Sequence, residues 1–153
     1  MTMDFMTAVK TCLTQKYAKF EGRASRSEYW WFFLFVVLGS IVAMFLGPLS
    51  FIFTLAIIVP MLAVGFRRLQ DTGRPGWWIV ITAVLSLLNT LLAPAMPDEA
   101  AIAAGEFPGT GSVLLSGVLG LIGLIVSLVF LWWLTRPSQP ETNQYGPPPA
   151  PAA

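Results

Sequence analysis

The run of residues 29–66 contains no charged side chain, and it limits the possible folds more than any other feature. As a single α-helix it would be about 57 Å long, whereas the hydrocarbon core of a bilayer is about 30 Å thick. Gly47-Pro48 lies near its midpoint, and such a dipeptide interrupts helices. The run therefore predicts two membrane-spanning helices, over residues 29–46 and 49–66, joined by a tight turn.

The composition agrees with a membrane protein. Hydrophobic residues make up 56% of the chain, charged residues only 11%, and the mean hydropathy is +0.71. A soluble domain of this size could not bury so much apolar surface. The chain has a single cysteine, Cys12, and no histidine, which excludes a disulfide framework and the usual Cys/His zinc site. We expect no metal and no cofactor.

The second half of the chain predicts another pair of spans. Residues 77–93 form the third, with Pro75 placed as a first-turn proline, and residues 113–134 form the fourth. The loop between them, residues 94–111, carries Asp98, Glu99 and Glu106 and no basic residue. The predicted fold is an all-α integral membrane protein with four transmembrane helices in two helical hairpins.

Residues 1–24 predict an amphipathic helix on the membrane surface, with a disordered arm as the alternative. On a helical wheel, one arc holds the apolar residues Phe5, Met6, Val9, Cys12, Leu13, Tyr17 and Phe20. The opposite arc holds Thr7, Thr11, Thr14 and Ala18. Lipid attachment or nucleophilic chemistry at Cys12 is conceivable, but no histidine is available to activate the thiol. We interpret Cys12 as a small apolar residue on the buried face.

The four-helix domain is predicted to cover residues 25–136, and a capping box marks its start. The Ser25 hydroxyl should accept a hydrogen bond from the amide of Glu28, and the Glu28 carboxylate should reach back to the amide of Ser25. After the last span, residues 137–153 are rich in proline, alanine and glutamine and cannot build a core. They predict a cytoplasmic tail that is disordered or polyproline-like.

Small residues recur at helical spacing in two of the spans. Gly39 and Ala43 in the first span, and Gly120 and Gly123 in the fourth, predict close helix packing, as is usual inside bilayers. Pro60 should kink the second span. On the third span, a polar face could bond across helices or line a substrate path; its members are Thr82, Ser86, Asn89 and Thr90.

The nine basic residues predict the orientation of the spans. Five precede the first span, three lie between the second and third, and Arg136 follows the fourth. All of them fall on one side of the predicted membrane, as do the six tryptophans. Because cytoplasmic loops are enriched in lysine and arginine, the pattern predicts a multi-pass protein with both termini in the cytoplasm.

Three motifs resemble the domain of unknown function 805 family. They are FEGRASRSEYWW at residues 20–31, RRLQDTGRPGWW at residues 67–78 and NQYGP at residues 143–147. The resemblance implies a small protein of the bacterial inner (plasma) membrane with four short spans, and it implies no activity. The family pattern usually has a histidine at the position of Gln70.

The charged residues predict binding rather than catalysis, and we expect no catalytic residue. Glu28 and Asp71 are the candidate acids, but neighbouring arginines should keep them ionised and paired at the interface. We therefore predict a non-enzymatic membrane scaffold or binding module. The candidate site for lipid headgroups or a protein partner is the basic face of Arg23, Arg26, Arg67, Arg68 and Arg74.

The predicted partners are membrane lipids, with anionic phospholipid foremost. An acidic segment of another protein or a second copy of the chain is the alternative, and we expect no nucleic acid. A small transporter or channel component is the alternative function. A coupled transporter would normally carry an ionisable residue at membrane depth, and the predicted spans contain none.

Overall fold

The computed structural model describes residues 3–92, 102, 104–105, 107 and 109–149. Five α-helices are assigned in these ranges: α1 (Phe5–Lys10), α2 (Arg26–Met44), α3 (Leu49–Asp71), α4 (Ile79–Leu92) and α5 (Thr110–Thr135). A π-helical turn, Thr11–Gln15, continues α1, and a 3-10 turn, Gly76–Trp78, precedes α4. The only β pairing among the described residues is an isolated bridge between Asn143 and Gly146.

The chain divides into two compact units, which are described separately. The first unit contains the residues up to Ile79 together with those from Trp132 onward. The second unit contains Val80–Leu131. All six tryptophans and all nine basic residues therefore belong to the first unit.

The predicted break at Gly47-Pro48 is confirmed. Helix α2 ends at Met44, α3 begins at Leu49, and Gly47 adopts a positive φ of 55° that favours glycine. The two helices pack against each other in a hairpin. A Cβ added at Gly39 would lie 2.5 Å from Cζ of Phe53, and Ala43 is buried. Gly39 is thus a helix-contact position.

The capping box at the start of α2 is half formed. The Ser25 hydroxyl accepts a hydrogen bond from the Glu28 amide at 3.1 Å, as predicted. The return bond from the Glu28 carboxylate to the Ser25 amide was wrongly predicted. That carboxylate bonds Arg67 and Lys16 instead, because a charged partner is a stronger donor than a neutral amide.

Helix α3 is longer than the predicted second span, since it continues through Arg67 and Arg68 to Asp71. The predicted charged loop is therefore only a short turn. Gly73 has φ +77°, its amide bonds the Gln70 carbonyl, and the Arg74 amide bonds the Leu69 carbonyl, each at 3.0 Å. This is the Schellman arrangement that ends helices at a glycine.

Pro60 lies inside α3 and leaves the Ala56 carbonyl without its usual helical donor. The hydroxyl of Tyr17 donates a hydrogen bond of 2.7 Å to this carbonyl. An unsatisfied carbonyl is costly in a membrane, so the N-terminal segment compensates for the proline.

Two glycines let the chain fold back after α3. A Cβ at Gly76 would lie 2.6 Å from Cδ1 of Phe66 and 3.0 Å from its carbonyl oxygen. A Cβ at Gly65 would overlap the Ile79 side chain. Only glycine permits this close approach of the turn to the end of α3.

The N-terminal helix is shorter than predicted, and its buried face overlaps the predicted apolar arc at Cys12 but is rotated from it toward Ala8 and Thr11. It ends at Gln15, and residues 16–25 have no helical assignment. Ala8, Thr11 and Cys12 are buried, whereas Met6 is 72% exposed. The small side chains of Ala8, Thr11 and Cys12 suit the packing of α1 on α2.

In the second unit, α4 and α5 line a common cleft of about 160 Å³. Residues that line it include Thr82, Ser86, Asn89, Gly120, Gly123 and Ser127. A Cβ at Gly120 or Gly123 would meet no atom of this unit within 4 Å. The close packing predicted at these two glycines is therefore not made within the unit, because the cleft separates the helices there. The predicted acidic residues Asp98, Glu99 and Glu106 lie outside the described residues.

Three of the helices are long and apolar enough to cross a membrane: Arg26–Met44, Leu49–Asp71 and Thr110–Thr135. The apolar stretch Gly76–Leu92 is shorter. The prediction of a helical membrane protein is confirmed, and the prediction of four spans stays a prediction.

Residues 137–146, which belong to the predicted disordered tail, make defined backbone contacts in the structure. Asn143 and Gly146 exchange backbone hydrogen bonds of 3.1 and 3.0 Å and close a tight turn, with Gly146 at φ +122°. The backbone amide of Gln139 donates a hydrogen bond of 3.2 Å to the backbone carbonyl of Asp71. Composition measures the capacity to form a core, and it does not reveal backbone groups that bond to other segments. Residues 150–153 lie outside the described residues.

Candidate functional site

Asp71 is the junction of the two arginine motifs. Its carboxylate accepts a hydrogen bond from Nε of Arg23 at 2.9 Å and another from Nη1 of Arg68. Asp71 and Arg68 are fully buried, and Arg23 is 6% exposed. Since a buried charge is tolerated only when it is paired and hydrogen-bonded, each of these side chains depends on the others.

Arg68 also joins α3 to the end of α5. Its Nε donates to the Leu134 carbonyl at 3.0 Å, and its Nη2 donates to the Arg136 carbonyl. The last carbonyls of a helix lack helical donors, and Arg68 supplies one for Leu134 in the last turn of α5 and another for the residue just after the helix.

Arg23 joins the same junction to the C-terminal segment. Its Nη1 donates to the carbonyls of Glu141 at 2.7 Å and Gly146 at 3.3 Å, while Nη2 donates to the Gln139 carbonyl. One guanidinium thereby connects a carboxylate on α3 with three carbonyls of the tail. The tail is therefore held by the Arg23 side chain of the first motif and by the backbone carbonyls of Gln70 and Asp71 in the second.

Glu28 forms a second buried pair. Its carboxylate bonds Nη1 of Arg67 and lies 3.4 Å from Nζ of Lys16. The Cys12 thiol is also buried, and burial together with the negative charge of Glu28 raises its pKa to about 12. The thiol is therefore protonated at neutral pH, which supports its interpretation as an apolar packing residue.

Gln70 and Asn143 complete the connections. With its amide nitrogen facing two carbonyls, Gln70 donates to Gly22 at 2.7 Å and to Phe20 at 3.1 Å. Nδ2 of Asn143 donates to the Gln70 carbonyl at 2.9 Å and to Oε1 of Gln139 at 2.8 Å. Gln70 thus connects the first motif to the second, and its backbone connects the second to the third.

These contacts define the arginine network, which consists of Arg23, Glu28, Arg67, Arg68 and Asp71. The predicted basic face must be corrected accordingly. Arg23, Arg67 and Arg68 are buried in ion pairs rather than presented at the surface. Of the five predicted arginines, Arg26 is exposed and Arg74 is partly exposed.

Arg136 is a surface cation that the sequence-based site prediction missed. Its guanidinium lies 4.7 Å from the ring centre of Trp132, and that of Arg74 lies 4.8 Å from the ring centre of Trp133. Trp133 in turn packs against Trp78, with ring centres 5.3 Å apart. The available signal was the placement of Arg74 and Arg136 beside the tryptophan pairs of the sequence.

Curated relatives of the chain are bacterial inner membrane proteins. Inner membrane protein YhaI of Escherichia coli (strain K12) is 39% identical over 75 residues, covering 44% of this chain and 64% of the relative. Inner membrane protein YhaH of the same strain is 35% identical over 79 residues, covering 44% of this chain and 65% of the relative. The chain thus spans somewhat less than two thirds of each relative. No solved structure matches the chain.

The family profile described as "Protein of unknown function (DUF805)" matches residues 17–147. This range includes all three motifs and the whole arginine network. It extends over both units and ends just beyond the Asn143–Gly146 turn. The chain therefore belongs to the DUF805 family.

Proposed function

We propose that this inner membrane protein is a non-enzymatic binding module whose basic cytoplasmic face binds anionic phospholipid. The observation that carries the proposal is the division of the basic residues of the first unit into two sets. The arginine network uses three arginines internally. Lys16 pairs with Glu28 of the network. The other five cations have no carboxylate at ion-pair distance among the described residues: Lys10, Lys19, Arg26, Arg74 and Arg136.

The charge balance of the first unit favours an anionic partner. It holds all nine basic residues, while its acidic residues are Asp4, Glu21, Glu28, Asp71 and Glu141. Two of these acids are consumed inside the network. The inner leaflet of a bacterial membrane is anionic, and each nearby lysine or arginine adds about 1 kcal/mol of attraction to such a surface.

The arginine network gives this face a fixed shape. It ties α2, α3, the end of α5 and the tail together, so the remaining cations project from a braced platform. Under the proposed topology, four spans place both termini in the cytoplasm, where the positive-inside rule puts the basic residues. A basic surface held rigid in this way suits a scaffold or binding module better than a protein that must change conformation.

The test is lipid selectivity of the purified chain in dodecyl maltoside, read by native mass spectrometry. Dioleoylphosphatidylglycerol should be retained in preference to dioleoylphosphatidylcholine, and the preference should shrink as salt rises because screening weakens exposed charges. Equal retention of the two lipids would overturn the proposal. A stoichiometric acidic protein that co-purifies and displaces the lipid would replace it with the protein-partner alternative.

The second unit supports one alternative, a small transporter or channel component. Oδ1 of Asn89 is buried at the α4–α5 cleft and has no hydrogen-bond partner among the described residues. An unpaired polar atom in a polar cleft could contact a passing solute. Uptake of labelled glycerol or alanine by proteoliposomes, above that of protein-free vesicles and reduced in Asn89→Ala, would favour this function.

A further inference from the structure

Arg74 and Arg136 line one cleft in the first unit. The cleft has a volume of about 390 Å³, and its other walls are Thr72, Pro137, Ser138, Gln139 and Pro140. Ligand pockets have volumes of about 300–1,000 Å³, so the space is sufficient for a small ligand or a headgroup. One arginine comes from the turn after α3 and the other from the end of α5, and the docked tail forms the remaining wall.

The two arginines that line the cleft are both cations. Neither has a carboxylate within 4.0 Å in the part of the chain that the structure describes. Partial burial, followed by the positive charge of Arg136, lowers the pKa of Arg74. Two like charges held together cost free energy that a bound anion would recover.

The arginines are held in place before any ligand arrives. Arg74 lies over Trp133 and donates from Nη1 to the Thr72 carbonyl at 3.2 Å, while Arg136 lies over Trp132. Stacking orients a guanidinium plane and leaves its edge free for bidentate bonds to oxygen. Planar guanidinium pairs match a phosphate better than single point charges do.

We propose that Arg74 and Arg136 form a phosphate-binding site, occupied by the phosphodiester of an anionic phospholipid. The inference rests on the proposed function and names its site. The Ser138 hydroxyl on the cleft wall is an additional donor for a phosphate oxygen. Tryptophan side chains concentrate at the headgroup level of membranes, and Trp132 and Trp133 put the cleft at that level.

The experiment uses the full chain in dodecyl maltoside, titrated with dioleoylphosphatidylglycerol and read by native mass spectrometry. Arg74→Gln/Arg136→Gln should weaken binding by about tenfold or more, because two charge-assisted bidentate contacts are lost. The comparison variant Lys10→Gln/Lys19→Gln removes the same charge from exposed positions of the same unit and should weaken binding clearly less than the arginine variant does, because it removes general attraction but no contact in the cleft. Arg74→Lys/Arg136→Lys keeps the charge and should give an intermediate loss.

Ser138→Leu tests the cleft with both arginines intact. It should reduce phosphatidylglycerol binding by filling the cleft, and it keeps the test valid if the glutamine variant does not fold. Inorganic phosphate distinguishes the source of the phosphate group. If phosphate at millimolar concentration displaces the lipid and itself raises the melting temperature of the parent but not of the glutamine variant, the site binds free phosphate rather than lipid.

The two proposals fail in different ways. Retained lipid preference in both the glutamine variant and Ser138→Leu, with a loss in the lysine control, would overturn the cleft as the site and leave the proposed function standing. Absence of any phosphatidylglycerol preference in the parent would overturn both.

Discussion

At the residue scale, Asp71 is the carboxylate on which two buried arginines converge. Two buried arginines share its carboxylate, and each also holds backbone carbonyls from the end of α5 or the tail. A buried ion pair contributes little net stability when complete, but breaking it strands a charge. Here a single substitution at Asp71 would leave two buried arginine charges unpaired.

We expect Asp71→Asn to lower the free energy of unfolding by about 3–5 kcal/mol, because Arg23 and Arg68 lose their common counter-ion in a buried site. Denaturant unfolding in detergent would measure the change. Glu141→Gln is the matched control, since it removes an exposed acid of the same unit and should change the stability by less than about 0.5 kcal/mol. Similar values for the two variants would contradict the buried network.

Cys12 gives a pH dependence whose sign follows from its burial. The pKa of the thiol is about 12 in the folded protein against an ordinary value of 9.0, so the folded state resists ionisation. This stabilising term is complete below pH 9 and is lost as pH rises from 9 toward 12. The parent should therefore lose stability relative to Cys12→Ser across that window. Melting temperatures of both proteins at pH 7, 9 and 10 would show the divergence, and parallel curves would contradict it.

At the element scale, α3 shows how a helix break inside a membrane protein is compensated from another segment. Pro60 deprives the Ala56 carbonyl of its donor, and the Tyr17 hydroxyl replaces that donor from the segment after α1. The sequence predicts the lost hydrogen bond. The replacement donor lies 39 positions away along the chain, so local pattern could not reveal it.

A double-mutant cycle tests this compensation. Tyr17→Phe should cost about 1–2 kcal/mol of stability because it leaves the carbonyl unsatisfied. In a Pro60→Ala background, the restored amide of residue 60 can bond Ala56, so the same substitution should cost much less. Additive effects in the cycle, measured by denaturant unfolding, would show that Tyr17 and Pro60 act independently.

At the scale of the whole molecule, the arrangement of charge predicts how the chain is oriented in the membrane. The first unit holds every basic residue, and the acidic side chains of residues 98, 99 and 106 fall within the span of the second. The positive-inside rule and the four-span topology together predict that the two groups of residues lie on opposite faces of the membrane.

Single cysteines in a Cys12→Ser background test this orientation. Glu141→Cys should react with a membrane-impermeant maleimide only after spheroplasts are opened, whereas Glu106→Cys should react with intact spheroplasts. A native cytoplasmic protein thiol serves as the control for leakage. Equal labelling of both positions from outside would contradict the four-span topology.

The sequence alone determined the membrane class, the hairpin break at Gly47-Pro48, the cap at Ser25 and the family. Each depends on local composition or on the backbone chemistry of a few adjacent residues, which the sequence displays directly. The pairing of Glu28 and Asp71 with arginines could also be predicted, because both acids have arginines close by in the sequence and lie next to predicted membrane spans.

Only the tertiary structure decided which cations remain at the surface. Arg23 meets Asp71 across 48 positions and the Glu141 carbonyl across 118, so its burial depends on contacts that no local pattern records. The same long-range contacts order the tail and bring Arg136 to the cleft beside Arg74. A count of basic residues gives the charge of a face, whereas ion pairing within the fold determines how much of that charge is left for a ligand.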